Sequence, residues 1–221
     1  MWNMLLAALR ISVVTWVLCG FLYPLLVTGM ARAVFPDQAN GSLVKRLDGG
    51  VAGSRLVGQV WEGAQWFHGR PSATTDTDPK DPSKTIPAPY NAANSSSSNL
   101  GPTSQALNDR LLADRKTLEA GAPEMAGHLL PSDMLTASGS GLDPDITPAN
   151  ARLQAVTVAK VRGMPVASLD ALIAQHTTGR DLWVFGEPRV NVMALNYALE
   201  RAQAGRRTSA ARIDALLTQR D

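Results

Sequence analysis

Residues 11–30 read ISVVTWVLCGFLYPLLVTGM, twenty residues without a charge. At ~1.5 Å per residue, a helix of that length spans about 30 Å, the hydrocarbon thickness of a bilayer. Arg10 and Arg32 bracket it. Pro24 would break a helix in water, but a membrane span tolerates it as a kink. The rival reading is a cleaved signal peptide, because Ala31-Arg32-Ala33 has the A-x-A form. The apolar run is longer than the ~7–15 residues of a signal peptide, which favours a retained anchor. The expectation is a short N-terminal segment, 1–10, and a transmembrane helix over 11–33. No later stretch is apolar enough to cross, so the rest lies on one side. Charge leaves that side open: Arg10 stands before the span, and Arg32, Lys45 and Arg46 stand after it. Long following domains translocate largely regardless of such counts.

The whole chain has 221 residues, 45% of them hydrophobic but only 5% aromatic, so its core must rely on Ala, Leu and Val. A net charge of +2 without a clustered basic face gives no sign of nucleic-acid binding. Cys19 is the single cysteine, which excludes an intramolecular disulfide and a Cys-rich zinc site. His68, His128 and His176 lie far apart, and no HExxH occurs, so no metal site is expected. The length excludes a complete primary transporter; any action on solutes needs partners.

Beyond the span, the pattern predicts a mixed α+β domain over 34–205 and a basic extension over 206–221. A β-like run, Arg55 to Val60, precedes Trp61, Trp66 and Phe67, which read as a core corner. Residues 71–104 hold six prolines, seven serines and one aromatic, Tyr90. That composition predicts a long loop, either a flexible excursion or a segment ordered against a partner. Helix signals follow. Thr103 or Ser104 can cap a helix carrying Leu107, Leu111 and Leu118, ended by Gly121 and Pro123. Thr147 before Pro148 opens another, ended by Gly163. Ser168 is expected to cap a third, with Leu169, Leu172, Ile173 and His176, ended by Gly179. Leu182 to Phe185 (LWVF) reads as a short strand. Val192, Leu195 and Leu199 share a face after Asn191. Ser209 to Arg220 reads as an extra basic helix or tail.

The motifs of the chain bound its possible chemistry. No glycine precedes a lysine, which excludes a Walker A loop. The stretch Thr136 to Asp143 (TASGSGLD) is the most site-like, because its small residues can expose backbone N–H groups to an anion. It does not satisfy G-x-S-x-G. Ser138, Gly139, Ser140, Gly141 and Asp143 are therefore candidates for a nucleotide or partner loop, or else form a close-packed glycine turn. His68-Gly69-Arg70-Pro71-Ser72 places a titratable ring, a cation and a hydroxyl close together. A lone histidine after aromatics is more often a core group than a catalyst.

Several strings, in order, carry a family resemblance. They are Tyr23-Pro24, Phe35-Pro36 with Gln38 to Leu43, Gly53-Ser54 with Leu56 to Gln59, and Phe67 to Ala73 (FHGRPSA). Tyr90-Asn91, Ser98 to Leu100, TASGSGLD, Ile146 to Pro148 and Gly186 to Val192 complete the series. Over nearly the whole chain this resembles the C subunit of the Kdp potassium-transporting ATPase. The stretch Thr75 to Pro89 and the tail beyond about Ala202 depart from the pattern and are expected as surface additions.

The resemblance implies a non-catalytic subunit of a bacterial inner-membrane complex for potassium uptake. Its partners would be a channel-like potassium-binding subunit, a P-type ATPase subunit and a small single-span subunit, within a lipid bilayer. It implies a catalytic chaperone that raises the ATP affinity of the pump subunit, with ATP and potassium acting in the complex and no cofactor of its own. It implies a cytoplasmic N-terminus and a periplasmic domain. Gln59, His68, Gly69, Arg70, Pro71, Ser72, Asn99 and Asn191 become positions of structural or interface role. Gly20, Pro24 and Gly29 become packing positions of the span, since small residues let membrane helices approach. A nucleotide-binding regulatory subunit and a membrane-anchored periplasmic hydrolase using His68 and a serine stay as alternatives.

Overall fold

The structure is a computed structural model that describes residues 1–46 and 49–218, with side chains as far as 206. It divides into two compact units, Met1–Leu56 and Val57–Asp221.

The first unit is dominated by one helix. Trp2–Val34 is continuous, long and apolar enough to cross a membrane, and none of its apolar stretch is buried within the protein. It comprises α1 (Trp2–Trp16), a π-helical segment (Val17–Leu22) and α2 (Tyr23–Val34). The helix therefore begins nine residues before the charge-free run, and Arg10 lies within it. Pro24 cannot donate a backbone hydrogen bond, and its ring crowds the preceding turn. The wider π turn directly upstream is one way a helix absorbs that defect. A short helix, α3 (Pro36–Ala39), leads to β1 (Leu43–Lys45) and β2 (Val51–Ser54), an antiparallel pair with a bulge after Val44. The Arg55 guanidinium pairs with Asp37, and its N–H donates to the Ser42 carbonyl at 3.0 Å. The strand thus ends at Ser54, and the run predicted over 55–60 is turn and irregular chain. Arg55 is held by that ion pair, while Gly58 is drawn to another segment by an N–H bond to the Leu142 carbonyl at 2.8 Å.

The second unit has a helical core against a small sheet. A hairpin, β3 (Thr75–Asp78) and β4 (Asp81–Pro87), occupies the middle of the Pro/Ser-rich region. Its turn is set by Asp78, whose carboxylate accepts from the Lys80 N–H at 2.8 Å. α4 (Gln105–Gly121) follows, with Ser104 at its N-cap position. Leu107, Leu111 and Leu118 are half-buried on one face, while Leu112 is exposed. Next come a 3₁₀ turn (Pro123–Met125), α5 (Ser132–Leu135), β5 (Asp145–Ile146), and α6 (Pro148–Arg162). Thr147 caps α6 by accepting from the Asn150 N–H, and Gly163 ends it in the left-handed region at φ 60°.

α7 (Val166–Gln175) has Pro165 at its N-cap position, three residues ahead of the predicted Ser168 cap. Proline's fixed φ suits the extended residue before a helix, so Ser168 falls inside the first turn. The helix stops at His176 rather than Gly179, because Thr177–Thr178 form β6. β7 (Arg189–Asn191) pairs antiparallel with both β5 and β6. α8 (Val192–Thr218) runs unbroken through most of the stretch read as a separate terminal piece. The side chains of that piece, and Arg220 altogether, lie outside the described residues.

Phe67, Ile146, Ala155, Val158, Leu169, Ile173, Val190, Leu195 and Leu199 belong to one buried cluster. Ala122, Met125 and Met134 form a smaller one beside it. The aromatic corner is real. Trp61 packs on Trp66 at 5.0 Å between ring centres and edge-on to Tyr197 at 5.9 Å. The Arg162 guanidinium covers Trp66 at 4.3 Å.

LWVF is not a strand. Leu182 and Trp183 take positive φ, 50° and 62°, in a tight turn closed by a bridge between Asp181 and Phe185. Two consecutive left-handed residues cannot continue an extended chain.

Candidate functional site

The two most site-like strings of the sequence form a single interlock. Pro71 accepts the Ser138 N–H at 3.2 Å, and the Ser72 hydroxyl donates to the Gly141 carbonyl at 2.7 Å. Arg70 reaches Asp143 at 3.1 Å, with both side chains about a quarter exposed. Its second terminal nitrogen lies 3.4 Å from the Thr136 and Ala137 carbonyls. Tyr90, from the loop after the hairpin, closes the third side. Its hydroxyl donates to the Arg70 carbonyl at 2.6 Å, and its N–H donates to Ser72 Oγ at 3.0 Å. Thr74 ties the same loop by donating to the Ala88 carbonyl at 2.6 Å. Burial and the neighbouring Asp143 carboxylate push the Tyr90 phenol up to about 12, with Arg70 opposing.

Three glycines let the chains come this close. A Cβ on Gly58 would meet the Tyr90 ring at 2.5 Å, and one on Gly69 would meet its hydroxyl at 2.3 Å. Gly141 sits at φ 69°, and its Cβ would fall 2.6 Å from the Ser96 carbonyl. Gly139, by contrast, has open space beside it. Gly139 and Ser140 are exposed at the turn, whereas Ser138 is buried. The N–H groups of Ser138, Gly141 and Leu142 all bond within the protein, the last to Ser140 Oγ at 3.1 Å. Asp143 also accepts the Asp145 N–H at 3.0 Å.

Beneath the interlock, two carboxamides clamp successive residues of the FHG strand-like segment. Asn196 accepts the Phe67 N–H and donates to the Phe67 carbonyl, both at 2.9 Å. Gln154 does the same for His68, at 2.8 and 3.0 Å. Gln154 also donates to Asn150 at 2.7 Å, and Asn150 donates to the buried Asp133 at 3.0 Å. Asp133 accepts the Thr147 N–H at 2.7 Å. A buried backbone group without a partner is costly, so these side chains replace a sheet neighbour. The sequence reading missed all four. Asn150 and Gln154, spaced i, i+4 among alanines on α6, were the available signal, as was Asn196 beside Leu195 and Leu199.

His68 borders a cavity of about 270 Å³ whose lining also includes Trp66, Leu118, Met125 and Met134. Burial lowers its pKa below the ordinary histidine value, against hydrogen bonds to Gln154 and the Trp61 backbone. None of those influences is a carboxylate. Gln59 is half-buried and, with Arg70, Ser72 and Tyr90, lines an adjoining groove. Asn191 stands apart, at the end of β7, donating to Asp145 at 3.2 Å and accepting from the Ala194 N–H at the start of α8. Asn99 is exposed, at φ 51°, and accepts from Ser97. Gly20 and Gly29 lie on the long helix with nothing within 4 Å of a built Cβ. Among the described residues no group of His, Cys, Asp or Glu is placed to hold a metal ion.

Comparison with known proteins decides the family. The model described as "K+-transporting ATPase, c chain" matches residues 5–201. The chain belongs to this family. A potassium-transporting ATPase KdpC subunit from Rhodopseudomonas palustris is 53% identical over 193 residues, covering 87% of this chain and 94% of the relative. One from Methylobacterium nodulans is 55% identical over 192 residues, again 87% and 94%. One from Bradyrhizobium diazoefficiens is 52% identical over 197 residues, 89% and 96%. The family match thus takes in nearly all of the apolar helix and every residue of the interlock.

Proposed function

We propose that this chain is the accessory, non-catalytic subunit of a high-affinity, ATP-driven potassium uptake complex. In this reading it stabilises the assembly of a channel-like potassium-binding subunit with a P-type ATPase subunit and a small single-span subunit. It also acts as a catalytic chaperone that raises the ATP affinity of the pump subunit. The long helix anchors it in the inner membrane, with Gly20, Pro24 and Gly29 facing partner helices. The N-terminus lies in the cytoplasm and the α+β domain in the periplasm.

The observation that carries this reading is the interlock itself, inside a chain of this family. FHGRPSA and TASGSGLD bond to one another and to the segments packed around them. Arg70, Ser72 and Asp143 thereby act as structure, and Gln59, His68 and Asn99 are left to the surface around them. The internal bonds of Ser138, Gly141 and Leu142 weigh against an anion cradle. The described influences on His68 are burial, Gln154 and the Trp61 backbone, none of them a carboxylate, which weighs against a hydrolase.

The test is reconstitution. Purified chain added to the solubilised partner subunits is expected to lower the ATP concentration needed for half-maximal hydrolysis. An ATP analogue that photolabels Ser138 to Asp143 would move the reading to a nucleotide-binding subunit. For topology, a phosphatase fused after Phe35 is expected to be active only if exported; activity confined to a cytoplasmic reporter would reverse the orientation.

A further inference from the structure

The cavity beside His68 and the groove that adjoins it form one cleft, since His68, Gly69, Thr117, Leu118 and Met134 line both. The segment around FHGRPSA makes one wall, and α4 makes the other from Arg110 to Gly121. At ~1.5 Å per residue that stretch of α4 is about 16 Å long, so the cleft is elongated.

Its two ends differ in charge. No Asp, Glu, Lys or Arg lines the cavity among the described residues. Trp66 and Leu118 do, with the buried side chains of Met125, Met134 and Val158. A charge moved there would lose its water without gaining a partner. The cavity, at about 270 Å³, approaches the ~300 Å³ of the smaller ligand sites. A cavity of ~150 Å³ already holds benzene, so this one has room for a chain of roughly eight to ten carbons.

The groove is lined by Arg70, Arg110 and Asp114. Asp143, which pairs with Arg70, lies outside that lining, so the lining carries an excess positive charge. Arg110 gives one terminal nitrogen to Asp114 at 2.9 Å. The Nε–H groups of Arg70 and Arg110 are both buried without a hydrogen-bond partner among the described residues. Buried donors are ordinarily satisfied, and a guanidinium matches a carboxylate with two parallel N–H bonds. An uncharged alkyl molecule would leave these donors unanswered. A two-chain lipid has one chain too many for a cavity of this size.

We propose that the cleft binds a single-chain fatty acid, its alkyl chain in the cavity beside His68 and its carboxylate on Arg110 in the groove. The probe is decanoic acid carrying a diazirine near the chain end, irradiated with the full chain in lipid nanodiscs and mapped by peptide mass spectrometry. Adducts are expected on Leu118, Met125 or Met134, suppressed by excess decanoate and not by the same concentration of decanol. Adducts confined to the long helix, or equal suppression by decanol, would overturn the proposal. Gly121 lines the cavity, and a Cβ built on it meets nothing within 4 Å, so a side chain there has room to enter. Gly121→Phe is therefore expected to abolish these adducts with thermal unfolding unchanged; undiminished labelling of the folded variant would overturn the proposal. Arg110→Gln is expected to lower labelling roughly tenfold, the scale of one hydrogen bond to a charged group. Unchanged labelling in Arg110→Gln would overturn it as well, whether or not Gly121→Phe folds.

Discussion

The interlock around Arg70 and the tip around Trp183 use the same parts to opposite ends. Each has a tight turn with positive φ, and each has arginines paired to carboxylates. In the interlock the positive φ falls on Gly141 and on Tyr90, at 69° and 60°, the Tyr90 side chain is packed against Arg70, and the paired groups bind segments of one domain together. In the tip it falls on Leu182 and Trp183, and the ion pairs hold a base from which apolar side chains project. Positive φ at Gly141, and at Tyr90 with its ring packed and its hydroxyl bonded, serves packing here. In the tip the positive φ is borne by large side chains, Leu182 and Trp183, that stay exposed among the described residues.

The sharpest way to break this contrast is Gly141→Val. It forces a β-branched residue into the left-handed region and against the Ser96 carbonyl, so a loss of about 4 kcal/mol is expected in thermal unfolding of the solubilised chain. Gly139→Ala, two residues away in open space, is expected to stay within about 0.5 kcal/mol. Equal effects at both positions would mean that the loop is not locked by packing.

Asn196→Ala comes next. It leaves the Phe67 N–H and carbonyl buried without partners, and about 2–4 kcal/mol of destabilisation is expected. Tyr90→Phe removes one bond to the Arg70 carbonyl and should cost about 1 kcal/mol. It also carries a pH signature. The phenol's folded pKa, about 12, lies above its ordinary 10.0, so Tyr90 contributes stability that is present below pH 10 and lost between pH 10 and 12. Denaturant titrations should show that alkaline loss flattened in Tyr90→Phe. The smallest expected effect is Trp183→Ser, within about 0.5 kcal/mol in the same melts. A large loss there would make the tip part of the fold and erase the comparison.

Much of this was legible beforehand, and the gaps have physical causes. The charge-free run at 11–30 announced the long helix, because length and apolarity alone decide such a span. Thr147-Pro148 and Gly163 bound α6 as read, since caps act locally. Ser168 misled because Pro165 had already opened the helix. LWVF has strand composition, yet exposure and positive φ are set by contacts that no local pattern encodes. The Pro/Ser-rich region hid a hairpin whose remaining backbone is tied down by Ser72, Thr74, Asn91 and Asn94. FHGRPSA and TASGSGLD were both noticed, but their union spans about seventy residues and only the fold could reveal it. The Asn196 and Gln154 clamps were missed because polar residues on a helix are ordinarily read as its wet face.

The proposed role of this chain is to hold partners rather than to perform chemistry of its own. Intact mass spectrometry of the complex, extracted gently in detergent from potassium-starved cells through a tag on this chain, tests it most directly. The account expects one assembly containing a P-type ATPase subunit and a larger channel-like subunit. Recovery of this chain alone, with both partners present in the same membrane, would contradict it.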